Sequence, residues 1–401
     1  MKTMECCPAD TASHANLPSG AGSWDAEGQN ESPAGRPGKA KSMKAKNDCP
    51  LNELASCRGV PEHHDPVDTA GAPFRPGQVL DGRFLITEIL SRSGMATIFK
   101  AQDQQRGNQF VALKVPHFEY ESDPTFFSRF QREERIGLEL NHPFVLKFVA
   151  VENKSRPYLV TEYLKGCTLE HMLKAMKPLP EKDALKIASL ICEALQHLHD
   201  HGVIHRDLKP QNVMICCDGT IRLMDFGLAR DTASRRITRV GNSNSMGTPD
   251  YMAPEQVTGK RADKRTDIYG LGALLYEMLA GAVPFQDENP WAALNARVTG
   301  DPVAPRKLNP DLSAQAEEIV LRALQRDPAD RYESAAAMKA ELDTAEHVRV
   351  TGLADRLQAP ETWRTPLFQR PLVLATAMLS PVAIGIIVMV VLLLRRHAGA
   401  P

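Results

Sequence analysis

The hydrophobic pattern of this chain changes period near Gly166, and that change restricts the fold more than any other feature. Before it, "RFLITEIL" (83–90), "QFVALKV" (109–115), "VLKFVAVE" (145–152) and "RPYLVTEYL" (156–164) are short runs rich in Ile, Val, Phe and Leu, and they read as strands. One stretch among them, "PTFFSRFQREERIGLEL" (124–140), has helical spacing and stops at the breaker Asn141-His142-Pro143. After Gly166 the pattern is mainly helical. "EKDALKIASLICEALQHLHDHG" puts Ala184, Ile187, Ile191, Ala194, Leu195 and Leu198 on one face, with Gly202 as the terminating glycine. Further helices are expected around 265–281, 290–298, 313–325 and 334–347. A β-rich part followed by a larger helical part predicts an α+β, bilobal fold with a cleft between the lobes.

The flanks have a different texture. Residues 1–78 are rich in Ala, Gly, Pro and Ser without apolar periodicity, so they are expected to be disordered. The first ten residues hold no apolar run of the signal-peptide kind. The chain has 8 Cys, none in a C-x-x-C pair, which argues against a disulfide scaffold or zinc ribbon. "CPLNELASC" with His63 and His64 lacks a tight ligand pair and reads as tail. Formal net charge is -1, so no nucleic-acid partner is expected. "PLVLATAMLSPVAIGIIVMVVLLL" (371–394) is uncharged and long enough to cross about 30 Å of hydrocarbon. It predicts a membrane helix contacting lipid, with 347–370 as a juxtamembrane linker and 395–401 as a short tail. The expected location is therefore the cell membrane, single-pass, with the large N-terminal part in the cytoplasm.

The chemistry-bearing residues cluster between 205 and 225. "VIHRDLKPQNVMI" and "IRLMDFGLA" put Asp207, Lys209, Asn212 and Asp225 on segments joining short strands. Two carboxylates, an amide and an ammonium suit a divalent cation and a polyphosphate, because magnesium takes a few oxygen ligands plus substrate phosphate. A carboxylate kept off the metal can accept a hydroxyl proton. Upstream, "LSRSGMATIFKA" (90–101) looks like a phosphate-binding loop in which serine and alanine replace glycine and only Gly94 survives.

"HRDLKPQN" and "DFG", with "VALK" upstream and "APE" downstream, resemble the eukaryotic-type (Hanks-type) protein serine/threonine kinases, including bacterial membrane-anchored members. The resemblance covers 79–346, with a small lobe of about 79–163 and a large lobe of about 166–346. It implies ATP and Mg2+ as cofactors and Ser/Thr-bearing proteins as substrates. Asp207 would be the catalytic base and Lys209 would neutralise the moving phosphoryl group. Asn212 and Asp225 would hold the metal. Lys114 would grip the α- and β-phosphates and pair with Glu133. The adjacent Glu134 points about 100° away on a helix. Thr248, after Gly247, would bond Asp207 and Lys209. Leu90, Ser91, Ser93, Gly94, Ala96, Ile98 and Ala112 would cover the nucleotide. Glu162 and Leu164 would offer backbone groups to adenine, with Thr161 gating the back pocket.

The same resemblance makes Glu255 a buried partner of Arg331 and Asp267 a brace for the catalytic-loop backbone. Thr238, Ser243 and Ser245 are candidate phosphorylation sites, reached in trans by a second copy. A pseudokinase that binds ATP weakly without transferring phosphate is the alternative, and the glycine-poor loop is the feature that supports it.

Overall fold

The computed structural model describes residues 72–121, 123–226, 250–361, 385 and 388–390. The first lobe is a five-stranded antiparallel sheet, ordered β1-β2-β3-β4-β5. Its strands are β1 (Val79–Leu80), β2 (Phe84–Arg92), β3 (Ala96–Asp103), β4 (Gln109–Pro116) and β5 (Leu159–Glu162). Alternation along these strands sends Phe84, Ile86, Phe99, Ala101, Leu113 and Val115 to one face, where they form a compact apolar cluster. Strand β2 has irregular register between Ile86 and Glu88 and again between Ile89 and Ser91, so it bends just before the loop at its end.

Two helices follow β4: α1 (Phe118–Glu121) and α2 (Pro124–Glu139). Asp123 caps α2, accepting from the Thr125 and Phe126 backbone N–H groups, with Pro124 at the first helical position. The run 145–152, expected as a strand, is not one. It changes partner within a few residues. Leu146 N–H donates to the Leu223 carbonyl at 3.0 Å, whereas Val149 N–H donates to Val160 O at 2.8 Å. Only isolated bridges at Val145 and Phe148 result, because a segment shared between two sheets cannot extend a ladder with either.

The second lobe carries a small antiparallel sheet, β6 (Gly166–Thr168), β7 (Val213–Cys216) and β8 (Ile221–Leu223). Its helices are α3 (Leu169–Ala175), α4 (Glu181–Asp200), α5 (Pro254–Val257), α6 (Lys264–Ala280), α7 (Pro290–Thr299), α8 (Pro305–Leu308), α9 (Ala314–Ala323) and α10 (Ala335–Asp343). Helix α4 buries its apolar stripe and ends at Gly202, whose φ of +70° is the left-handed cap glycine tolerates. Helix α6 is buried almost all round and forms the centre of this lobe.

Order extends past both expected domain ends. Phe74, inside the segment expected to be disordered, packs edge-on against Phe99 at 6.2 Å, and Gly77 N–H bonds Ile86 O. At the other end, Thr351 bonds Glu318, and Asp301 N–H donates to Gln358 O at 2.8 Å, so the start of the expected linker lies along the large lobe. Among the described residues no helix is long and apolar enough to cross a membrane. The expected span 371–394 falls almost wholly outside them.

Candidate active site

Lys114 sits on central strand β4, with β3 on one side and β5 on the other. Its Nζ donates to Glu133 Oε1 at 2.8 Å and to Asp225 Oδ1 at 3.0 Å. Three separate segments thus meet at one ammonium: β4, helix α2 and the turn after β8. Burial alone would lower the Lys114 pKa, but the Asp225 and Glu133 carboxylates outweigh it and raise it. The Lys114 ammonium holds Asp225 below the usual carboxylate range. Burial pushes Glu133 up, against the pull of Lys114. The cluster therefore keeps its lysine charged at neutral pH. Glu134, one residue on, instead pairs with Lys154, as its different helix face requires.

The loop 203–212 is held from beneath. The Asp267 carboxylate on α6 accepts from the His205 and Arg206 backbone N–H groups at 2.9 and 2.7 Å. Asp267 also lies 2.8 Å from His199 Nε2. Arg206 and Asp225 both adopt positive φ, +64° and +55°, a costly backbone state for residues with a β-carbon. Lys209 Nζ donates to Asp207 Oδ2 at 2.8 Å, and Asn212 Nδ2 donates to the Asp207 carbonyl at 2.7 Å. Asp207, Lys209 and Asn212 thus form one hydrogen-bonded group. The next residue after Asp225, Phe226, is 1 % exposed and packs on Phe148 at 5.8 Å.

The glycine-poor loop is the β2–β3 hairpin. Ser91 pairs with Ile98 in register, and Ile98 pairs with Lys114 across β3–β4, so Ile98 lies between the loop and the lysine. Ser93 closes the turn. Its N–H donates to Ala96 O at 2.9 Å and its Oγ accepts from Ala96 N at 3.1 Å. A β-carbon added to Gly94 would meet nothing within 4 Å, so the protein itself does not demand glycine there. On the other side, Ala112 pairs with Thr161, which is 9 % exposed. Glu162 ends β5, and its N–H is taken by Lys147 O at 2.9 Å. Leu90 lies at the β2 end leading into the loop, and Leu164 lies just beyond β5.

The protein kinase domain family model matches residues 86–342. The chain belongs to the protein kinase domain family. It is 37 % identical over 270 residues to the serine/threonine-protein kinase PknB of Mycolicibacterium smegmatis, covering 66 % of this chain and 43 % of that protein. Against PknB of Mycobacterium leprae the identity is 37 % over 272 residues, with 66 % and 43 % covered. Against PrkC of Bacillus subtilis it is 35 % over 270 residues, with 67 % and 41 % covered. The match thus spans about two fifths of the length of these relatives.

The expected Glu255 partner of the kinase domain is in place. Arg331 Nη1 and Nη2 reach the two Glu255 oxygens at 2.8 Å each, with both side chains buried. Thr248 and the candidate sites Thr238, Ser243 and Ser245 lie outside the described residues. The residues named for Mg2+ fit that ion. Asn212 spends its amide nitrogen on Asp207, leaving its carbonyl oxygen as an acceptor, and Asp225 adds a carboxylate. Among the described residues no cluster of three or more His, Cys, Asp or Glu is poised for a metal. Magnesium bound by two protein oxygens plus phosphate and water needs none.

Sequence reasoning passed over Thr97, His117 and Gly137. The single glycine within the α2 pattern was the one available signal, because glycine inside a helix marks close packing. The Thr97–His117 contact joins residues far apart in sequence, and no periodicity reveals it.

Proposed function

We propose that this chain is an ATP-dependent protein serine/threonine kinase, with its own activation segment among its substrates. The observation that carries the reading is the Lys114 ammonium bridging Glu133 at 2.8 Å and Asp225 at 3.0 Å beside the Asp207–Lys209–Asn212 group. Phosphoryl transfer needs positioning and charge stabilisation more than covalent chemistry. Asp207 takes the proton of the attacking Ser or Thr hydroxyl. Lys209, already paired with Asp207, places a positive charge where negative charge spreads over the moving phosphoryl group. Lys114 binds the α- and β-phosphates, its direction fixed by Glu133. Asn212 and Asp225 would hold Mg2+, which would supply charge neutralisation at the phosphates. The hairpin 91–96 covers the phosphates, and Glu162 and Leu164 take the adenine edge.

The scaffold alternative drew on the hairpin alone. Serine and alanine are the smallest replacements for glycine, and the phosphate-facing lysine and carboxylates are retained. The relatives are named as serine/threonine-protein kinases, which also favours transfer. The uncharged stretch 371–394 supports anchoring in a membrane, with the kinase domain on the cytoplasmic side and copies free to phosphorylate one another in trans. The deciding experiment gives the full chain Mg2+, labelled ATP and a generic basic protein beside Asp207→Asn. Transfer by the wild type alone is expected. Equal labelling by both proteins, or by neither, sinks the reading.

A further inference from the structure

A phosphate-covering hairpin must adopt one shape when nucleotide binds. Glycines allow that shape, but they leave the free loop with many others, and ordering them costs entropy. This hairpin has serine and alanine where a phosphate-binding loop of this kind carries glycine, and it holds a set of side-chain bonds. Ser93 folds the turn onto Ala96 through its N–H and its hydroxyl. Beyond the turn, Thr97 is fully buried on β3, and its Oγ1 lies 2.9 Å from His117 Nε2. His117 follows the end of β4, across the β3–β4 ladder where Ala96 pairs with Pro116. Its backbone N–H donates to the Met95 carbonyl at 2.9 Å, and its ring also bonds the Gly94 backbone. One residue therefore holds three positions around the turn: Gly94, Met95 and Thr97.

The ring is suited to this work in its neutral form. Burial and the neighbouring Arg92 charge lower its pKa, against Glu119. A neutral imidazole donates at one nitrogen and accepts at the other, so it can bond a backbone carbonyl and a threonine hydroxyl at once. His117 does not belong to the Lys114–Glu133–Asp225 cluster or to the Asp207 group.

We infer that His117 is a positioning residue for nucleotide binding: with Thr97 it pre-sets the glycine-poor hairpin in the shape that covers the ATP phosphates. The inference rests on the kinase reading above. Ordering achieved on folding is not charged again on binding, so the clamp lowers the dissociation constant for Mg–ATP. It acts on binding rather than on the reacting atoms, so kcat moves little.

The test uses the full chain and measures Mg–ATP affinity by calorimetry, KM for ATP and kcat against a basic protein, and melting temperature. Thr97→Val removes the hydroxyl bond with little change in volume, and His117→Phe removes the bonds of the ring while keeping an aromatic side chain. Each is expected to weaken Mg–ATP binding and raise KM by about 3- to 10-fold, the worth of one hydrogen bond, with kcat within about twofold. The double variant is expected to match His117→Phe, since once the ring's bonds are gone the Thr97 hydroxyl has no clamp left to lose. His117→Gln, whose amide reaches the Nε2 position, is expected to restore most of the affinity. Unchanged affinity in both single variants, multiplying effects in the double, or losses that merely track melting temperature overturn the inference. Calorimetry separates the two readings: a wild type without transfer activity refutes the kinase reading, and the affinity changes still decide the role of His117.

Discussion

A β-carbon placed on Gly137 would lie 2.5 Å from the Phe148 ring. Gly137 is one helical turn beyond Glu133 on the buried side of α2, and Phe148 also packs against Phe226, the neighbour of Asp225. The closeness of helix and ring therefore sets how near Glu133 comes to Lys114. Gly137→Ala pits two effects against each other. Alanine favours helix by about 1 kcal/mol. Overpacking against a buried ring costs about 1–3 kcal/mol, and the helix is the part free to move. The clash wins at the site. Gly137→Ala is expected to lower kcat/KM by about tenfold or more while keeping the helical circular-dichroism signal. Wild-type turnover in this variant would refute the packing argument.

The Glu255–Arg331 pair makes a stability prediction with a defined pH sign. Both groups are buried and bidentate, and Thr266 Oγ1 donates to Glu255 at 2.8 Å. Removing one partner leaves a buried charge alone, which costs about 3–5 kcal/mol. Arg331→Met is expected to lower the unfolding free energy by about that amount in urea titrations. Burial by itself would raise the Glu255 pKa, but the Arg331 hydrogen bonds and charge overcome it and the net direction is down. The stabilisation is therefore present above the ordinary glutamate pKa of about 4.3 and is lost as pH falls through the lowered folded value. Glu255→Gln should flatten that acid limb. An unchanged acid limb in Glu255→Gln would show that other carboxylates set it.

What could be read from the sequence was what repeats locally or sits in a fixed motif. Helix α4 was legible because Ala184, Ile187, Ile191, Leu195 and Leu198 recur at helical spacing, and all are buried. Lys114 and Glu133 were nameable from a strand motif and a helix breaker. The run 145–152 misled because its composition is strand-like, whereas its hydrogen bonds are divided between two sheets. Phe74 and Pro360 gain order from partners far away in the chain, Phe99 and Gly300, and no window of sequence contains both members. Thr97 and His117 become neighbours only once the β3–β4 register is fixed.

Thr161 makes a prediction about inhibitors. It pairs with Ala112 across β4–β5, and its hydroxyl lies 3.3 Å from the Glu162 carbonyl. Both side chains are small, so a longer one at 161 would narrow the wall beside the proposed adenine position. Thr161→Met supplies that longer side chain. Ligands that extend past the adenine position are expected to bind about tenfold or more weaker, with KM for ATP within about twofold. Competition binding of a compact and an extended adenine-site inhibitor measures the contrast. Equal loss for both would place the back pocket elsewhere.

The segment after α10 offers the last prediction. Gln358 N–H bonds Asp301 Oδ2 at 2.9 Å and Glu361 N–H bonds Thr299 Oγ1 at 3.2 Å, so 358–361 runs against the end of α7. The fit is closest at Gly300, where a β-carbon would lie 2.3 Å from Pro360 Cα. That contact is backbone and cannot yield by a rotamer change. Gly300→Ala is therefore expected to lift 358–361 off α7 and release its hydrogen bonds, each worth about 1 kcal/mol. Limited proteolysis should show 348–361 protected in the wild type and cut early in Gly300→Ala. Hydrogen exchange at Asp301, whose N–H bonds Gln358 O, should accelerate in parallel. Exchange at Asp301 that is unchanged by the substitution would mean that α7, not the C-terminal segment, moves to relieve the clash.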